Sequence, residues 1–113
     1  MGCLFCDIVA GTIPAKKVHE DEETFAFEDI NPQAPVHVLV IPKRHITSLI
    51  DVTPEDDALL GRLVRRARLL ARQLGVDEKG FRCVFNCGDD AGYSVYHVHL
   101  HLLGGRRLDW PPG

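Results

Sequence analysis

The chain has 113 residues, 45% apolar and 26% charged, with 13 Lys and Arg against 16 Asp and Glu for a net charge of −3. A domain of this length buries roughly 65% of its unfolded surface, which excludes disorder, collagen-like repeats and a disulfide-only miniprotein. A mildly acidic balance lacks the broad cationic surface that general nucleic-acid binding needs, and no stretch approaches the roughly 18 apolar residues of a membrane span. The opening MGCLFCDIVAGTIP has Asp7 early and no basic leader, so it reads as neither a secretion signal nor a transit peptide. The expectation is a cytoplasmic protein with its four cysteines reduced.

In chain order, residues 4–10 predict a short helical turn ended by Gly11. Residues 17–20 and 24–28 read as strands around an acidic turn, and in the second Phe25 and Phe27 alternate with Ala26 and Glu28, as one-sided burial requires. Asn31, Pro32 and Pro35 mark a turn cluster. Residues 36–41 form a continuous β-branched and apolar run, a central strand stopped by Pro42. One long helix follows, with Thr53 as N-cap, Pro54 at its first position, Glu55 and Asp56 in the first turn and Gly75 as the stop. Its apolar residues, Leu59, Leu63, Ala67, Leu70 and Leu74 among them, keep the helical period, and its arginines make a solvated face. Residues 81–86 and 95–103 then predict two further strands separated by the loop 87–94. The whole reads as one α+β domain over residues 1–113.

The last strand carries the chemistry. In Tyr96-His97-Val98-His99-Leu100-His101-Leu102-Leu103 the three histidines alternate with apolar residues, so a strand would set His97, His99 and His101 on one face. Three uses compete: a polar face turned to water, a catalytic zinc site, or nucleophilic catalysis by a neutral imidazole. The flanks favour the third. Upstream, the glycine-bearing turn 86–95 is suited to offer backbone N–H groups to a phosphate, with Asn86 and Ser94 close in sequence. Downstream, Gly104 and Gly105 close the strand.

The segment from His97 to Leu103 matches the H-φ-H-φ-H-φ-φ signature, φ being apolar, of the histidine triad (HIT) superfamily. With the segments 13–16, 27–37 and 40–46 and the ending Trp110-Pro111-Pro112-Gly113, the chain resembles the Hint branch, purine nucleoside phosphoramidases, over nearly its whole length. That resemblance implies an antiparallel sheet of about five strands with one long helix and a short N-terminal helix, in a homodimer with a continuous sheet. It implies that His99 attacks the α-phosphorus of a nucleoside 5′-phosphoramidate and carries the nucleotidyl group. His101 would hold phosphate oxygens. Ser94 and the backbone near Val95 would steady the phosphate and the departing group, with Asn86 on the phosphate side. His37 would sit behind the nucleophile and hold its tautomer. No metal is needed for this chemical step.

By the same resemblance Asp29 would accept the ribose hydroxyls; locally it also reads as a turn-initiating Asp. Phe5, Ile8, Phe27, Ile30 and Leu39 would line an apolar slot for a purine base, although their spacing alone makes them core residues. Cys3 and Cys6 have a zinc-knuckle spacing. The resemblance completes a structural zinc site with His45 and His97. Cys83 and Cys87 read as small packing residues, and His19 has no assigned role. Where family members often carry Gln before the serine of the phosphate loop, this chain has Tyr93, which leaves the leaving-group contacts open. The Trp110 tail is either a frayed end or reaches a partner's active site across the dimer. Rival functions are a dinucleoside polyphosphate hydrolase and a nucleotide-sensing scaffold.

Overall fold

The computed structural model describes residues 2–113. Its elements are α1 (Leu4–Ala10), β1 (Lys17–Glu20), β2 (Thr24–Glu28), β3 (Val36–Pro42), α2 (Asp57–Gln73), β4 (Phe81–Phe85) and β5 (Leu100–Gly104), with short 3-10 turns at Leu49–Asp51, Pro54–Asp56 and Asp89–Ala91. The five strands form one sheet in the order β1-β2-β3-β5-β4, and every neighbouring pair is antiparallel. This is the α+β architecture expected. Among the described residues no helix is long and apolar enough to cross a membrane.

Strand alternation gives the sheet two faces. Ala26, Val38, Val40, Leu100 and Leu102 pack with Leu63, Ala67, Leu70 and Ala71 of α2 in one core cluster. Phe25, Phe27, Leu39 and Ile41 form a second cluster with Phe5 and Ile8 of α1. The register that sets Leu39 opposite Phe27 on one side and His101 on the other brings the histidine strand beside this second cluster.

The ends of β3 and β4 shift by one residue, to Pro42 and Phe85, and two boundaries differ by more. The long helix opens as a 3-10 turn over Pro54–Asp56 and becomes α-helical at Asp57. The Thr53 N–H donates to the Asp56 carboxylate at 2.9 Å, so the entry is capped through a tighter first turn, a common form of helix start. The stop is as read: Gly75 takes a φ of +77° just beyond the last turn.

The second difference matters more. The last strand was expected over residues 95–103, but its ladder begins at Leu100, so His101 alone of the three histidines lies in it. The cause is in β3. Its register pairs Val40 with Leu100, and continuing it would set Val98 against Pro42. Proline has no N–H to give to a ladder. The Val98 N–H donates instead to the Ile46 carbonyl at 2.8 Å, and the chain before Leu100 leaves the sheet.

Leu63 and Leu70 are fully buried between α2 and the sheet. Leu63→Ala should lower unfolding free energy by about 2–5 kcal/mol in urea denaturation, since the rigid sheet behind it cannot collapse into the cavity.

Candidate active site

Burial and hydrogen bonding assign a proton to one nitrogen of each central imidazole. His97 is wholly buried, and its ring Nε2–H donates to the Pro42 carbonyl at 2.8 Å. A carbonyl only accepts, so Nδ1 of His97 keeps its lone pair. The backbone carbonyl of His97 in turn accepts Nδ1–H of His99 at 2.7 Å, which leaves Nε2 of His99 unprotonated. On β3, the Gln33 backbone N–H donates to Nδ1 of His37 at 3.0 Å, so the His37 proton sits on Nε2. That Nε2–H faces Nδ1 of His101 at 2.9 Å and a carboxylate oxygen of Asp29 at 3.3 Å. His101 therefore accepts at Nδ1 and carries its own proton on Nε2.

The result is a complementary pair. The rings of His99 and His101 lie 5.0 Å apart, one offering a lone pair at Nε2 and the other an N–H at Nε2. Burial depresses the pKa of His37, His97 and His99 below the usual histidine range. It pushes His101 down furthest, to about 4, with His99 and His37 adding to the effect. The pair is thus neutral at pH 7, one nitrogen a nucleophile and the other a hydrogen-bond donor to an anion.

His37 departs from its expected place. It was expected to hold the tautomer of His99, but the His97 carbonyl does that, and His37 orients His101 instead. The reason is the register: His101 lies opposite Leu39 in the ladder, so the side chain two residues along β3 reaches its ring. Asp29 shows its turn-initiating reading and adds a contact with His37. One carboxylate oxygen accepts the Asn31 N–H at 2.8 Å as a turn-initiating Asp does, and the other faces His37.

Of the expected base-slot residues, Phe5, Ile8, Phe27 and Leu39 are buried together in the second core cluster, as their spacing indicated. Ile30 is not part of that cluster. It is 100% exposed in the bend after β2, where the chain turns towards Pro32. Phe5 reaches His99 directly, its ring 5.1 Å from that imidazole at 88°. Val95 is half-buried against the same cluster, Asn86 is half-buried just past β4, and Ser94 is exposed. The turn before Ser94 uses part of its own backbone: the N–H groups of Ala91 and Tyr93 donate to the Gly88 carbonyl and that of Gly92 to Asp89. Those three amides are occupied within the turn and are not free to bind a phosphate.

Tyr93 is a neighbour of His99 that sequence reasoning did not place. It stacks on His99 with rings 5.4 Å apart and 14° from parallel, and its hydroxyl donates to the Thr47 carbonyl at 2.7 Å. Burial pushes its phenol up to about 12, so it stays a protonated donor. The only sequence signal was its departure from the family pattern. Cys83, read as a packing residue, is exposed on edge strand β4.

Below the pair, Cys3, Cys6, His45 and His97 bring one ligand atom each to within 4.8 Å of one another. Nδ1 of His97 lies 3.4 Å from Sγ of Cys3, 3.5 Å from Sγ of Cys6 and 3.2 Å from Nδ1 of His45. Nδ1 of His45 lies 3.4 Å from Sγ of Cys6. A tetrahedral ion with metal–sulfur bonds of about 2.3 Å and metal–nitrogen bonds of about 2.0–2.1 Å has ligand–ligand edges of about 3.3–3.8 Å. The four residues fit such an ion. The lone pair of His97 is aimed into the cluster because its other nitrogen is tied to Pro42, the outer hydrogen bond that orients metal-binding histidines. Burial, Cys3 and Asp7 push the Cys6 thiol up to about 11, an effect a cation reverses by holding the thiolate. Asp29, His37 and His101 also lie close together, but the 2.9 Å separation of the two rings is a direct hydrogen bond.

These features match a known family. The HIT domain model matches residues 10–108, and the chain belongs to the HIT domain family. It is 51% identical over 110 residues to an uncharacterised HIT-like protein of Synechocystis, covering 97% of this chain and 96% of that one. It is 47% identical over 112 residues to a 14 kDa zinc-binding protein of Brassica juncea, covering 97% and 98%. The crystal structure of a HIT family hydrolase from Legionella pneumophila superposes with a TM-score of 0.98 at 53% identity, covering 99% of this chain and 100% of that one.

The depressed His101 pKa has a sign. An unfolded histidine titrates near 6.5, so between about 6.5 and about 4 the unfolded chain binds more protons than the folded one. Its contribution to stability is complete above about pH 6.5 and is lost as pH falls towards 4. The melting temperature should decline over that window, and His101→Gln should make the decline shallower.

Proposed function

We propose that this protein hydrolyses purine nucleoside 5′-phosphoramidates to the nucleoside monophosphate through a nucleotidyl group carried on Nε2 of His99. The observation that carries the reading is the bond from Nδ1–H of His99 to the His97 carbonyl, which leaves the nucleophilic lone pair on the nitrogen that faces away. Nε2 attacks the α-phosphorus, the phosphorus–nitrogen bond breaks, and the amine departs with a proton from solvent supplied through the Ser94 hydroxyl. Water then attacks the phosphorus, gives its proton to solvent, and returns the lone pair to His99.

The other residues serve that displacement. Nε2–H of His101 holds a phosphate oxygen, with His37 keeping the proton on that nitrogen. The backbone N–H groups of Ser94 and Val95 and the amide of Asn86 take the remaining oxygens. Asp29 accepts the ribose hydroxyls. The base lies against the rim formed by Phe5, Ile8, Phe27 and Leu39, with exposed Ile30 covering it. An apolar surface of this kind grips a purine but reads few of its edges.

Zinc is the ion that the Cys3, Cys6, His45 and His97 set suits, since two thiolates and two imidazoles at tetrahedral spacing are its ordinary structural ligands. When bound, it would tie the N-terminal segment to the chain carrying the nucleophile, outside the chemical step. The partner we infer is a second copy joined along β4, whose outer edge ends the sheet and whose Phe81 is exposed. Trp110, 82% exposed, is free to reach that copy.

His99→Ala should cut release of AMP from adenosine 5′-phosphoramidate by at least about 10³-fold. Mass spectrometry of the quenched wild-type reaction should show one adenylyl group on the peptide containing His99. Turnover retained in His99→Ala would reject the covalent route, and faster cleavage of a dinucleoside polyphosphate would reassign the substrate. Elemental analysis should give about one zinc per chain, and Cys6→Ser should lose the metal together with several degrees of melting temperature.

A further inference from the structure

Tyr93 lies against the nucleophile in a way the proposed chemistry leaves unused. Its ring is nearly parallel to the imidazole of His99, at 14° and a centroid separation of 5.4 Å, the geometry of an offset stack. The Tyr93 side chain is 6% exposed and anchored, its hydroxyl donating to the Thr47 carbonyl at 2.7 Å. The adjacent residue of that same segment, Ile46, accepts the Val98 N–H at 2.8 Å. The stretch from Tyr93 to Val98, which leads into the nucleophile, is therefore stapled to residues 46–47 at both ends. Phe5 meets His99 from another direction at 88°.

Two consequences follow from elementary chemistry. The bond from Nδ1 to the His97 carbonyl holds one atom of the ring but leaves the plane free to tilt about it; a flat face packed alongside removes that freedom. Forming the Nε2–phosphorus bond while Nδ1 keeps its proton converts a neutral imidazole into a cation, and an aromatic face beside a cation stabilises it. Because the hydroxyl is already donated to Thr47, Tyr93 acts through its face and not through its O–H.

We propose that Tyr93 is a positioning residue for His99, holding the imidazole plane in line with attack and stabilising the cationic nucleotidyl-imidazole that results. This rests on the assignment of His99 as nucleophile. The test is rapid-quench kinetics on the full-length protein with adenosine 5′-phosphoramidate, reading the His99 adduct by intact mass alongside steady-state kcat and KM. Tyr93→Phe keeps the face and should form adduct within about 3-fold of wild type. Tyr93→Leu removes the face and should slow adduct formation about 10-fold, while the substrate concentration giving half the maximal adduct-formation rate stays within about 2-fold. Tyr93→Met, a flexible filler of the same space, supplies the comparison should the leucine variant not fold. A ring-less variant as fast as wild type overturns the proposal, as does Tyr93→Phe as slow as Tyr93→Leu, or a slowing that disappears at saturating substrate in the adduct-forming step. If wild type forms no adduct, the phosphoramidase reading itself falls. If wild type forms it and the ring-less variants match it, only the role of Tyr93 falls.

Discussion

The hydrogen bond of 2.8 Å from the ring of His97 to the carbonyl of Pro42 supports everything around it. Pro42 has no N–H, so the β3–β5 ladder cannot run past Val40 and Leu100. The same residue keeps a carbonyl, and the ring of His97 takes it. That choice turns Nδ1 of His97 towards Cys3, Cys6 and His45. Release from the ladder also frees the carbonyl of His97, which would otherwise face a neighbouring strand, to hold His99. One proline thus limits a strand, aims the lone pair of His97 into the Cys/His cluster and settles which nitrogen of His99 is free.

The active pair shows why backbone groups suit this work. A carboxylate beside His99 would draw a proton onto the ring and raise its pKa, whereas a carbonyl accepts one N–H and leaves the ring neutral. The same logic runs from the other side: the Gln33 amide sets His37, and His37 sets His101. Buried imidazoles need partners to offset lost hydration, and here each partner also specifies a tautomer. The result is a lone pair and an N–H side by side on rings 5.0 Å apart, without a formal charge on either.

The apolar half of the site follows from the sheet. Phe25, Phe27, Leu39 and Ile41 share a face by alternation, and α1 lays Phe5 and Ile8 over it. Phe5 thereby serves twice, filling the core against Phe27 at 5.4 Å and packing on His99. Cys3, the N-cap of α1, and Cys6 within it flank Phe5 in sequence, so the Cys/His cluster and the edge of the site are held by the same short helix.

Much of this was legible in the residues. The bounds of α1, β1 and β2 were readable because Gly11, the acidic turn and the Phe25/Phe27 alternation act within a few positions of one another. The histidine spacing and the Cys3/Cys6 pair announced their chemistry, since ligand and nucleophile types are properties of residues. What stayed hidden depended on distant chain. The late start of β5 is set by a proline 55 residues away from His97, and the partner of His101 lies 64 positions off on β3. The stack of Tyr93 on His99 needs a loop held by Thr47, 46 residues distant. The helices and strands, the reactive residue types and the family were readable from the residues alone, because periodicity and motif spacing are local. Which nitrogen of each histidine carries the proton emerged in the folded chain, because it is dictated by a carbonyl, amide or imidazole that folding brings against the ring.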